Sequence, residues 1–202
     1  MKVETIVVLL AVLVLFGTCT YAADCNDGGR YEDMGDGTVT DCRTGMIWLK
    51  NAQCADTSNG IANPKGTLTW YDAMKWVAGL YGDGSGSTIC GLTDGSSAGD
   101  WRLPTKTELM AMVSYAKKRG FTNPVLTNGA GTDQWTPSGD VFTSVQSDLY
   151  WVSTPSHLAP FNAWCVSMLD SSLWVSDGTS DSLYVWPVRG GQQGSFGNVI
   201  IQ

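Results

Sequence analysis

Residues 99–120, GDWRLPTKTELMAMVSYAKKRG, specify a helix together with both of its ends. Thr105-Lys106-Thr107-Glu108 has the spacing of a capping box, in which the Thr hydroxyl and the Glu carboxylate each satisfy an orphan amide. Pro104 stands just before the cap. Leu109, Met112, Val113 and Ala116 recur at helical spacing and form one apolar face. Lys117, Lys118 and Arg119 fall on the last turn, where positive charge complements the helix dipole, and Gly120 is a natural stop. That basic cluster has a second reading, a patch for an anionic ligand.

A second helix is predicted over TWYDAMKWVAGL, residues 69–80. Thr69 is its N-cap, and Trp70, Ala73, Met74, Val77 and Leu80 share one face. Ahead of it, MGDGTVTDCRTGMIWLK (34–50) reads as a hairpin, with a turn at Asp36-Gly37, a strand at 38–40, a turn at 43–45 and a buried strand at 46–49. Residues 81–100 form a glycine- and serine-rich loop, and residues 121–149 an irregular one. The last third returns to short aromatic and β-branched strands: LYWVSTP (149–155), NAWCVSM (162–168), SLWVS (172–176) and LYVWPVRGG (183–191). Two helices on an antiparallel, hairpin-built sheet give an α+β fold.

The first residues place the chain outside the cytoplasm. Lys2 precedes an unbroken apolar run from Ile6 to Phe16, followed by small residues up to Ala22. This reads as a secretory signal peptide over residues 1–22, whose apolar run of 11 residues is too short to span a bilayer comfortably. A lipid anchor at Cys19 is the alternative, which Phe16, Gly17 and Thr18 fit poorly. A single domain over 23–191 and a tail over 192–202 follow, with no later transmembrane segment. The expected location is secreted, periplasmic or at the bacterial cell surface. Nine Trp and seven Tyr argue against disorder. A net charge of −7 disfavours nucleic acid and anionic lipid as partners.

Export permits disulfides among Cys25, Cys42, Cys54, Cys90 and Cys165. The favoured pairing is Cys25–Cys42 and Cys54–Cys90, with Cys165 left free or bonded between chains; spacing alone does not decide it. A zinc site is disfavoured by the absence of CxxC and by a single His. Asp36, Asp41, Asp94 and Asp100 sit in loops beside Gly and offer oxygens to calcium, or else serve turns. His157 and Cys165 are the one candidate thiol–imidazole pair, and no third orienting group is evident. Trp135, Phe161 and Trp174 lie in or beside polar loops and are the candidate ligand-binding residues, since loop aromatics stack on sugars or bury in protein partners. Trp48, Trp70, Trp76 and Trp151 belong to the core.

Taken in order, GDGTVTDCRTGMIWLKNAQC, TWYDAM, CGLTDGSSAGDWRLPTKTEL, YWVSTP, NAWCVSM and YVWPVRGG resemble the Lcl C-terminal domain family over about residues 30–191. The family is named after the last domain of a bacterial collagen-like adhesin. The WRLPTKTEL segment also resembles the RLPT-x-x-E element of formylglycine-generating enzymes and related C-type-lectin-like folds. The resemblance implies a C-type-lectin-like architecture of two helices, a twisted antiparallel sheet and a loop-rich ligand face. It supports Cys54–Cys90, and it implies that Trp101 and Arg102 lock the disulfide-tied loop to the 105–120 helix. Where the family has an aromatic in its AWYV-like strand this chain has Cys165, which favours an unpaired or intermolecular thiol. The adhesin's binding of sulfated glycosaminoglycans does not carry over to an acidic chain without a collagen stalk; a neutral glycan or a protein is expected. The expected function is non-catalytic binding or adhesion. The alternatives are a structural subunit, homo-oligomeric through Cys165, and a formylglycine-type thiol oxidase, which needs a pair of active thiols that bind copper.

Overall fold

The computed structural model describes residue 25 and residues 28–56, 65–82, 89–159 and 161–190. The predicted leader, Cys19 and the 192–202 tail lie outside the described residues, as does Pro160.

The chain forms two sheets and two helices. The first sheet joins β1 (Tyr31–Asp33), β2 (Thr38–Asp41), β3 (Met46–Leu49) and β9 (Val188–Gly190) in that spatial order, all antiparallel. The second has the order β4-β8-β5-β6-β7, from β4 (Thr67–Leu68), β5 (Leu149–Pro155), β6 (Asn162–Ser167), β7 (Leu173–Asp177) and β8 (Leu183–Tyr184). A single sheet was the expectation. The segment LYVWPVRGG instead divides between the two: Tyr184 bridges Tyr150 in parallel, while Val188 pairs with Trp48. Pro187, which has no amide hydrogen, stands between the two halves.

Helix α1 (Trp70–Ala78) is capped by Thr69, whose hydroxyl accepts the Asp72 amide. Its buried side is Ala73, Trp76 and Val77; Met74, expected inside, is 37 % exposed. Trp76 replaces it: Ala73, Trp76 and Val77 fall at i, i+3 and i+4 on one stripe, and Met74 lies at its margin. Helix α2 (Lys106–Lys117) has the complete Thr105/Glu108 capping box and buries Leu109, Met112, Val113 and Ala116.

Trp186, between β8 and β9, ties the sheets together. Its ring packs edge-on against Trp48 at 5.3 Å and Phe142 at 5.0 Å, lies 5.8 Å from Tyr150, and its indole donates to the Leu49 carbonyl. Aromatic pairs of this kind add about 0.5–1.5 kcal/mol each beyond burial. Two other buried indoles are satisfied in the same way, Trp151 on Leu68 O and Trp101 on Ser96 Oγ, whereas the Trp48 indole N–H has no acceptor among the described residues.

Cys25 is bonded to Cys42 and Cys54 to Cys90. The second bond brackets α1 and anchors the start of the loop leading to Trp101. The same loop is fastened to the hairpin: the Thr93 amide donates to Asp36 O, and a Cβ on Gly37 would lie 2.4 Å from Gly91 O. Gly37 has φ +88°, so only glycine fits the site without strain.

Candidate functional site

The long irregular segment 121–149 builds most of a cleft of about 470 Å³ lined by Asn123, Pro124, Trp135, Pro137, Val145, Gln146, Ser147, Asp148 and Tyr184. Its floor is fixed by the core. The Trp135 indole donates to Phe142 O, and the Val125 amide to Met168 O. The Gln146 amide hydrogen is held by the Tyr150 hydroxyl at 2.9 Å, and the Gln146 side chain donates to Gln53 Oε1 and Ser144 O. Asp148 Oδ1 accepts the Leu149 amide. The Gln146 Oε1, the second Asp148 oxygen and the Asn123 side-chain amide have no protein partner among the described residues.

Tyr184 forms the aromatic wall. It is half-buried, its ring 5.4 Å from that of Tyr150. Burial, with the charge of Asp148 added, raises its phenol pKa, so it stays a neutral donor. The cleft thus offers an aromatic face, a phenol donor, an amide and a carboxylate, the mixture found in small-molecule sites of about 300–1,000 Å³.

The three aromatics predicted from sequence are not brought together in one site. Trp135 lines the cleft but is only 5 % exposed, chiefly anchoring its loop. Phe161 is 65 % exposed in the β5–β6 connection, with φ +70°. Trp174 is 56 % exposed on β7, an edge strand. Leu158, in the same connection as Phe161, Leu169, between β6 and β7, and Leu173, on β7, are also exposed. Tyr184 went unnoticed in the sequence because it stands in what reads as one core strand.

The remaining candidates are placed as follows. Cys165 is free and fully buried in β6; its sulfur lies 4.0 Å from Ser176 Oγ, and burial pushes its thiol pKa up to about 11. His157 is exposed, so the two do not form a pair. In this conformation the sulfur is out of reach of a thiol on another chain. Asp36 accepts the Thr38 amide and hydroxyl, and Asp100 accepts the Ser97 amide. Asp41 pairs with Arg30, and Asp94 with Arg189. Each therefore serves a turn or an ion pair, and no three of them converge. The one trio of metal-ligating types among the described residues, Cys25, Glu32 and Cys42, has both sulfurs tied in the disulfide.

The order of these elements, from the first hairpin to β9, coincides with a known domain: the family model of the Lcl C-terminal domain matches residues 37–189. The chain belongs to the Lcl C-terminal domain family. No curated protein matches it. Membership points to a surface-associated domain, and the two disulfides, one within this Lcl domain and one joining it to Cys25, accord with an extracellular setting. Among its described residues no helix is long and apolar enough to cross a membrane. The matched span includes the whole 121–149 cleft, so the recess is part of the Lcl domain itself.

Proposed function

We propose that this Lcl domain is a non-catalytic recognition module at the cell surface or outside the cell, and that its 121–149 cleft receives a glycan. The observation that carries the reading is Tyr184, an aromatic side chain lining the same small-molecule-sized recess as Gln146 and Asp148. A sugar ring stacks on such a face and exchanges its hydroxyls with an amide and a carboxylate. A neutral glycan fits best, because a chain of net charge −7 repels polyanions. We further propose that the helices, sheets and disulfide-tied loops are arranged in the C-type-lectin-like manner. A glycan array probed with the mature chain, with and without calcium, tests the reading; silence under both conditions sinks it.

A thiol oxidase is the weaker reading. Its chemistry needs two available thiols, and here four cysteines are spent in disulfides and the fifth is buried.

A second binding reading, assembly with other copies, is favoured by β7. An edge strand presenting Leu173 and Trp174 has unpaired backbone groups and apolar side chains available to another chain. Sedimentation of wild type and Trp174→Lys decides it: a concentration-independent monomer in both refutes assembly through this edge.

A further inference from the structure

Away from the cleft, positive charge is concentrated at one aromatic ring. Tyr115, on the last turns of α2, holds guanidinium groups from three separate segments: Arg30 before β1, Arg43 in the β2–β3 turn and Arg119 beyond the end of α2. Their central carbons lie 4.1, 4.4 and 4.0 Å from the ring centroid. Three of the five arginines of a chain with net charge −7 therefore meet at one side chain.

One carboxylate answers them. Asp41 accepts Arg30 Nη2 at 3.3 Å and the Arg43 backbone amide at 3.0 Å. Arg30 is 5 % exposed, stacked between Tyr31 and Tyr115, and its Nε and Nη1 have no acceptor. Packing explains Arg30. It does not explain Arg43 and Arg119, which are exposed, come from different elements, and have no hydrogen bond or ion pair to their guanidinium groups among the described residues. Long, mobile cations of like sign repel one another unless an anion lies between them.

We propose that Arg43 and Arg119, backed by Arg30 and the face of Tyr115, form a receptor for a single carboxylate group. A planar carboxylate matches guanidinium forks in two-pronged bonds. The surroundings select one such group over a run of anions. Glu32 and Asp33 lie two and three positions beyond Arg30, and the loop that touches Arg30 and Tyr115 through Gly129 and Gly131 carries Asp133 and Asp140. These four acids repel a polyanion laid across Arg30 and Arg43, while among the described residues the only other cations beside the site are Lys117 and Lys118, which precede Arg119 at the end of α2. The site is separate from the glycan cleft and stands or falls independently of it.

The test is an NMR titration of the arginine side-chain Nε–H signals of the whole mature chain, at constant ionic strength made up with chloride. The probes are acetate, an end-blocked glutamate peptide, methyl glucuronide, sulfate and a sulfated polysaccharide. Saturable shifts at Arg43 and Arg119 with acetate, and tighter binding of either the peptide or the sugar acid, support the proposal and tell the two sources apart. Arg43→Ala and Arg119→Ala each weaken binding by about tenfold, one charge-assisted bond being lost. Both residues are exposed, so the melting temperature falls by only a few degrees at most from the lost contact with Tyr115, and Arg43→Lys retains charge without restoring the fork. No saturation beyond chloride, or tighter binding of the sulfated polysaccharide than of every monocarboxylate, overturns it.

Discussion

Arg102 and Glu108 meet as a two-pronged ion pair, Nη1 on Oε2 at 2.7 Å and Nη2 on Oε1 at 2.8 Å. The same carboxylate closes the α2 capping box by accepting the Thr105 amide at 2.7 Å. Arg102 also exchanges backbone hydrogen bonds with Val188. One side chain, Glu108, thus joins the start of α2 to the segment after the disulfide-tied loop, and through Arg102 to the first sheet.

Glu108→Ala is expected to cost about 2–4 kcal/mol, the cap and a charge-assisted pair together. Glu108→Gln, which retains an acceptor for the cap, costs less. Burial pushes the Glu108 carboxyl up, but the Arg102 fork and the Thr105 amide outweigh it, and its pKa lies below the ordinary 4.5. Its contribution is therefore complete above 4.5 and is lost as pH falls through the lower folded-state value. Urea denaturation of wild type and variant from neutral pH downward should show the difference between them shrinking only below that point.

The Cys54–Cys90 bond closes a separation of 36 residues. In the chain-entropy model its loss costs about 3–4 kcal/mol. The double variant Cys54→Ser/Cys90→Ser should unfold at correspondingly lower denaturant, with the 89–100 loop exchanging amide hydrogens first.

Iodoacetamide at about pH 8 should leave the folded mature chain unlabelled and modify one thiol, Cys165, in urea without reductant. Burial, with the nearby Asp181 charge added and a Ser176 hydrogen bond opposing, raises this thiol from 9.0 to about 11. A raised acid pKa means its stabilising contribution is intact below 9.0 and fades as pH rises toward 11. Labelling of the folded chain at a rate matching the unfolded one contradicts the buried placement.

Gly37→Ala places a Cβ against the Gly91 carbonyl at φ +88°. The neighbour is backbone and cannot swing aside, so a loss of about 2–3 kcal/mol is expected from strain and overpacking. A melting temperature equal to wild type refutes the contact.

Much of the fold was legible where the cause is local. The capping box, the α2 stripe and the 34–50 hairpin depend on residues within a few positions of each other, and the sequence names those residues. β1 and β4 are three and two residues long and show no alternation to read. The division of LYVWPVRGG between two sheets is a tertiary event: Tyr184 and Val188 are drawn to different partners, Tyr150 and Trp48. The cleft was legible only as a region. Trp135 looked like a contact residue because it lies among polar residues, yet its indole is spent on Phe142 O, whereas Tyr184 looked like core and forms the wall. Of the arginines around Tyr115 only Arg119 is flagged by the sequence, in the 117–119 basic cluster; Arg30 and Arg43 join it only after β1, β2 and α2 have packed.

The most direct measurement is titration calorimetry with the strongest ligand from the glycan array, on wild type, Tyr184→Ala and Trp174→Ala, each checked for an unchanged fold. The cleft reading predicts saturable binding by wild type, a loss of about tenfold or more in Tyr184→Ala, and no change in Trp174→Ala. Equal affinity in wild type and Tyr184→Ala contradicts it.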